Sequence, residues 1–391
     1  IDISRKILSL LFPAAARLFC MLACLSLVSC QDMAIHNYNS GVDAFEAGDT
    51  SAAIDFFRKS IKERPEDPDP HINLACGLFA VAQYEEALEE FKFALDFYPD
   101  DPVLHYNLAE TYGAQGHNQS AKREYEYALR LDPEFVEALV SYGKILLETE
   151  NYKSAEERLI HAMTLRPSYG RAYIYLGVLY SRLGKYHEAA NYLFRGLRSE
   201  PNSTYARMGL AFTFYQREMY DEALEEYQRI IAKEPNNPEV LLGIGKCNLA
   251  VGKLQQAEEM LDQSIRLQQN FPEAYKALGD TYTEQRDYAK AVSNYRMAVH
   301  QKEDYPEAHL SMAWVLQLLG QTSDAQESLG KVLARRSNNP ALLYEIAHFY
   351  MRLNEWEQAR YYLEKSLENV GHNFELKSKI EKAMNSIENK E

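Results

Sequence analysis

Residues 170–203 read GRAYIYLGVLYSRLGKYHEAANYLFRGLRSEPNS, and four of them decide the fold: Gly177, Gly184, Ala189 and Leu193. Gly177 and Ala189 are small and stand twelve residues apart, with Leu193 one helical turn after the alanine. Small residues let two helix backbones approach at a crossing, and a bulky side chain one turn later fills the gap beside it. Gly184 lies between them, where a helix would break, and Pro201 ends the stretch. The stretch therefore predicts one helical hairpin, helix A followed by helix B.

Stepping outward by 34 residues from Ala189 meets alanine every time: Ala53, Ala87, Ala121, Ala155, Ala223, Ala257, Ala291, Ala325 and Ala359. Twelve places earlier stands Gly or Ala in every copy, from Gly41 to Ala347. Four places later comes a large side chain, among them Phe57, Phe91, Tyr125, Tyr227, Tyr295 and Leu363. Gly48, Gly116, Gly184, Gly252 and Gly320 mark the A to B turn in alternate copies. Pro65, Pro99, Pro133, Pro167, Pro201 and Pro235 close the first six copies, after which Pro272, Pro306 and Pro340 take over the break a few residues later. A fixed period of this length means stacked supersecondary units.

These positions resemble the tetratricopeptide repeat family over residues 34–373, without insertion or deletion. The resemblance implies an all-α, right-handed superhelical solenoid of ten helix-turn-helix hairpins. Beyond it, Leu376, Ile380, Ala383, Met384 and Ile387 recur at helical spacing within residues 374–391, which predicts a solvating helix that caps the array.

Composition agrees with a folded chain, at 46% hydrophobic and 25% charged residues. The net charge of −15, with no basic run, argues against nucleic acid, which needs a positive stripe. No Gly-rich phosphate loop, GxSxG elbow, HExxH or CxxC is present, so the expectation is a chain that is not an enzyme, with no cofactor, metal or small-molecule substrate. His71, His105 and His309 share the fourth place of their repeats, where packing is expected rather than a metal. Cys76 and Cys247 are expected to be small buried hydrophobes.

Residues 1–29 order basic side chains (Arg5, Lys6, Arg17) before an uncharged apolar run from Leu18 to Val28. That order fits a secretory signal. Leu27-Val28-Ser29-Cys30 resembles the bacterial lipobox, which implies lipidation of Cys30 and a short tether over residues 30–33. Gln31 after the cysteine implies the outer membrane, facing the periplasm.

In such solenoids helix A lines the concave face, at the second, fifth, sixth, ninth, twelfth and thirteenth places. A protein or peptide partner is expected there. The first three repeats put Tyr38, Phe79 and Tyr106 on it, with Asn39, Asn73 and Asn107 at a 34-residue spacing. That series resembles the asparagine ladder of the O-linked N-acetylglucosamine transferase repeats, which implies pairing with an extended peptide backbone. Repeats five and six contribute Tyr175, Tyr205, Phe212 and Tyr215, and repeats seven and eight turn acidic with Glu239, Glu273, Asp280 and Glu284. A lipobox before a repeat array resembles the pilotin lipoproteins of type IV pilus assembly and the repeat lipoproteins of exopolysaccharide export. The implied role is a scaffold of a bacterial envelope machine; the alternatives are a substrate-presenting accessory subunit of a separate enzyme or a cytosolic adaptor.

Overall fold

A computed structural model describes residues 33–334, 338–371 and 373–388. The expectations for residues 1–29 and Cys30 lie outside the described residues. Among those described, every regular element is a helix, twenty-one in all: ten antiparallel hairpins and one further C-terminal helix. The chain divides into two compact units, Ile1–Arg166 and Pro167–Glu391. Repeats one to four lie in the first, and repeats five to ten with the C-terminal helix lie in the second.

Repeat five shows how the pattern becomes a hairpin. Helix A runs Gly170–Arg182 and helix B runs Tyr186–Ser199. At their crossing a Cβ on Gly177 would stand 2.5 Å from Leu193 Cγ and 3.1 Å from the backbone oxygen of Ala189. Only a glycine admits that approach. Helix B buries one stripe, Ala189, Ala190, Leu193 and Gly196. Helix A is covered from two sides and buries Ala172, Tyr173, Ile174, Leu176, Gly177, Leu179 and Ser181. What remains open on helix A is one stripe, Arg171, Tyr175, Val178 and Arg182, with Tyr180 half-buried outside it.

Every hairpin turns in the same way. Residue fifteen of each repeat has a left-handed backbone: the five glycines of the sequence pattern, and also Ala82 (φ 60°), Glu150 (φ 60°), Glu218 (φ 61°), Arg286 (φ 64°) and Asn354 (φ 60°). In each, the following N–H reaches back to the carbonyl five residues earlier, as from Gln83 to Leu78 (2.9 Å) and from Lys185 to Tyr180 (2.9 Å). This six-to-one bond satisfies carbonyls that the end of helix A leaves open. The prolines of the later repeats have a different task from closing a helix. Pro272, Pro306 and Pro340 occupy the first turn of the next helix A, as Pro68, Pro102 and Pro238 do, where a missing N–H costs nothing.

The C-terminal helix Phe374–Glu388 buries Ile380, Ala383 and Ile387 against Ala359, Leu363 and Val370 of the last hairpin. It also reaches the start of its own unit. Lys379 Nζ lies 3.0 Å from the Glu218 carboxylate, and the Asn373 side chain covers Gly184. Both partners are the left-handed turn residues of repeats five and six. Burial, followed by the nearby Glu375 carboxylate, raises the pKa of the Tyr186 hydroxyl next to that contact.

Candidate protein-binding groove

In the first unit the helix A face is aromatic, and its rings are held by neighbours. Tyr38 lies 6.1 Å from Phe57 across its own hairpin, and its hydroxyl accepts a hydrogen bond from the Asn73 amide at 3.1 Å. One member of the asparagine series thus spends a donor inside the protein, while Asn39 is exposed and Asn107 half-buried. Phe79 packs at 5.6 Å from Tyr84, and Tyr106 stands 5.1 Å from Phe135 and 6.2 Å from Tyr125. Tyr125 donates to the Glu110 carboxylate, so a core ring of helix B reaches through the crossing to an acid on the groove face. Burial first, and that carboxylate second, push the Tyr125 pKa well above the usual phenol range.

The second unit carries a more open patch on helices A of repeats five and six. Tyr205 is 50% exposed and Phe212 is 43% exposed. Tyr205 lies 5.8 Å from Tyr175, and Tyr215 lies 5.5 Å from Tyr220. The Lys246 ammonium sits 5.4 Å over the Tyr215 ring, and burial together with the Lys276 charge lowers its pKa. An apolar ring with a polar tip, held at its base and open at its edge, is the side chain most used to anchor a partner.

Further along, two of the four acids expected to make repeats seven and eight acidic, Glu273 and Asp280, are held by partners. Lys276 pairs with Asp280 at 2.8 Å, Tyr295 donates to Asp280 at 2.9 Å, and Lys302 pairs with Glu273 at 3.2 Å. An open cleft of about 580 Å³ follows, lined by Lys276, Asp280, Trp314, Glu345 and Arg352 among others. Arg352 stacks over the Trp314 ring at 5.1 Å.

The fourth-place histidines do more than pack. His105 faces the Glu124 carboxylate with Nδ1 (2.7 Å) and the Pro99 carbonyl with Nε2 (3.1 Å), and its ring stacks 5.1 Å from Tyr127. His71 repeats this with Glu90, the Pro65 carbonyl (3.1 Å) and Phe93 (4.0 Å). In repeat six Arg207 takes the same place, donating to Glu226 at 2.7 Å and to the Pro201 carbonyl at 2.9 Å. A polar group at the fourth place thus fastens helix B to the loop that closes the preceding repeat. His309 has Ser328 where the others have glutamate, and its Nδ1 is buried without a partner among the described residues. Burial lowers its pKa. The described residues contain no group of three or more His, Cys, Asp or Glu side chains able to hold a metal ion. Cys247 is buried, with its thiol pushed up to about 12 by burial, whereas Cys76 is only half-buried. No described helix is long and apolar enough to cross a membrane.

Comparison with known proteins gives the same repeat. Two family models described as tetratricopeptide repeat match residues 106–169 and 174–238, and 214–280 and 316–379; a third, described as TPR repeat, matches 79–116. No curated protein matches the chain in sequence. Among solved structures, a thermophilic TPR protein of Thermus thermophilus is 22% identical over 46% of this chain and 99% of its own, with a TM-score of 0.42. Yeast Tom70 is 14% identical over 92% of this chain and 96% of its own, at 0.48. The pilF protein of Pseudomonas aeruginosa is 21% identical over 56% of this chain and 96% of its own, at 0.46. Stacked hairpins with an open stripe on each helix A form a protein–protein interaction scaffold. With these models together matching residues 79–169, 174–280 and 316–379, well over half of its length, the chain belongs to the tetratricopeptide repeat family.

Proposed function

We propose that this chain is a lipid-anchored scaffold of a bacterial envelope machine, and that it grips an extended segment of a partner protein on helices A of repeats five and six. The observation that carries the binding reading is the exposure of Tyr205 and Phe212 beside half-buried Tyr175 and Tyr215. Large rings left open on one stripe, when the rest of each helix is used for packing, mark a contact surface. The tetratricopeptide fold generally serves as a non-catalytic scaffold, which supports the same reading.

Replacing Tyr205 and Phe212 together by alanine is expected to weaken partner binding by roughly thirtyfold, from about 2 kcal/mol for removal of anchoring aromatics. The melting temperature should stay within a degree or two, since both rings are half open to water. A photo-crosslinking amino acid at either position, in a Gram-negative host, should give one dominant adduct. Undiminished binding by the double variant would remove these rings from recognition.

The anchor rests on the sequence alone, on the basic, apolar and small order that ends at Cys30. Three acyl chains exceed the two hydrophobic signals that stable attachment needs. Cys30→Ser is expected to shift the protein from the membrane to the soluble fraction and to abolish acyl labelling. Fractionation unchanged by that substitution would show that the attachment lies elsewhere or does not exist.

A further inference from the structure

Repeat five is basic within an acidic chain: Arg171, Arg182, Lys185, Arg195 and Arg198 stand against Glu188 and Glu200, while the whole protein carries −15. Part of that excess gathers away from the helix A stripe. Helix B of repeat five and helix B of repeat six (Tyr220–Ile231) flank an open cleft of about 750 Å³, with Arg207 and Leu210 of the intervening helix A among its lining. Four guanidinium groups line it, Arg195, Arg198, Arg207 and Arg229, and one carboxylate, Glu226.

Their partners leave positive charge over. Arg207 and Arg229 both bind the buried Glu226, so one anion serves two cations. Among the described residues Arg229 has only the exposed Glu225 besides, at 4.0 Å. The Arg195 guanidinium stacks 4.4 Å over the Tyr173 ring and gives one N–H to its hydroxyl at 3.1 Å, so the group is fixed in place while keeping donors. Arg198 is exposed and has no hydrogen-bond or ion-pair partner among the described residues. Phe194, 47% exposed, lies in the same cleft, braced 6.0 Å from Phe214. This combination is local. The places of Phe194, Arg195 and Arg198 are taken in repeat seven by Asp262, Gln263 and Arg266.

We infer that this outer cleft docks an acidic segment of a protein partner, its carboxylates on the arginines and one apolar side chain on Phe194, at a surface separate from the helix A groove. Planar guanidinium groups match carboxylates in paired hydrogen bonds, and a ring held at the base supplies the apolar contact that charge alone lacks. The acidity of the rest of the chain keeps such a segment from binding elsewhere on it.

A fluorescein-labelled peptide of glutamates flanking a single phenylalanine, titrated into the full chain by anisotropy, tests this. Binding is expected, and it should weaken steeply with added salt. Arg198→Glu should reduce affinity at least about tenfold, because it reverses a rim charge that steers the ligand, and Phe194→Ala should reduce it severalfold. Both residues are exposed, so circular dichroism melts should match the parent chain. Affinity that survives Arg198→Glu but falls with Tyr205→Ala would place the segment in the helix A groove and overturn the inference. Binding of anionic phosphatidylglycerol vesicles without binding of the peptide would overturn it in favour of a lipid surface. Self-association of the chain that Arg198→Glu abolishes, with no binding of the peptide, would overturn it by assigning the cleft to a second copy.

Discussion

Gly177→Leu is expected to destabilise the second unit by about 3 kcal/mol, whereas Gly330→Ala should stabilise it by about 1 kcal/mol. Both glycines lie inside helices, where any other ordinary residue is intrinsically preferred. Packing decides the sign. A Cβ on Gly177 would meet Leu193 Cγ at 2.5 Å and the fixed carbonyl oxygen of Ala189 at 3.1 Å, so a larger side chain must separate helix A from helix B. Around Gly330, in helix Thr322–Leu333, nothing lies within 4 Å of the same atom, and the helix gains its propensity without loss. For a unit of this size the first change corresponds to a drop of roughly 10 °C in melting temperature. Adding Leu193→Ala to Gly177→Leu should recover part of the loss, because the two side chains compete for one volume. Equal melting of Gly177→Leu and the parent would show that the crossing is not close-packed.

The second large effect is expected from deleting the chain from Phe374 onward. Ile380 and Ile387 are almost wholly buried on the last hairpin, and Leu376 and Met384 are partly so. At about 1.5–3 kcal/mol for each fully buried aliphatic side chain, the lost packing is on the order of 5 kcal/mol. The truncated chain also exposes Leu363 and Val370, and aggregation should follow at concentrations where the full chain is monomeric. The return contact is separable from this. Lys379 and Glu218 keep side-chain exposures of 48% and 62%, and a pair so open to water contributes little. Lys379→Glu should therefore change the melting temperature slightly and leave the protein monomeric. A truncated protein that stays monomeric and equally stable would sink the view that the helix is a cap, and a collapse caused by Lys379→Glu would shift its weight to the ion pair.

The parts of the fold that were legible in the sequence are those that recur every 34 residues. Ala189, Gly177 and Leu193 announce the crossing because their sizes are imposed by geometry at one fixed place in every hairpin. The turns were only half legible. Gly48 and its four equivalents signal a left-handed residue, but Ala82, Glu150, Glu218 and Arg286 do not, since there the six-to-one hydrogen bond and the packed hairpin impose a conformation their side chains disfavour. The pairs His105 with Glu124 and Arg207 with Glu226 share a spacing of nineteen residues, and that repetition could have revealed them. The contact of Lys379 with Glu218 has no such trace, because it follows no period.

The candidate groove divides along the same line. Spacing places Tyr205 and Phe212 on the open stripe, and they stand exposed there. It could not show that Asn73 would spend an N–H on Tyr38, or that Asp280 would be held by both Lys276 and Tyr295, since each needs a partner brought in by folding. The arginine cleft was invisible for a related reason. Arg195, Arg198 and Arg229 lie on two different helices, and Tyr173, which fixes the first of them, lies on a third.

The contact between the C-terminal helix and the turns at Gly184 and Glu218 sets an order of events during synthesis. A ribosome completes both turns on the order of ten seconds before it adds Lys379, at ordinary elongation rates. Throughout that interval repeats five and six are present without the helix that later leans on their turns. The turns at Gly184 and Glu218 are thus covered only once the last stretch of the chain has been delivered, and any truncation before Asn373 leaves both of them open.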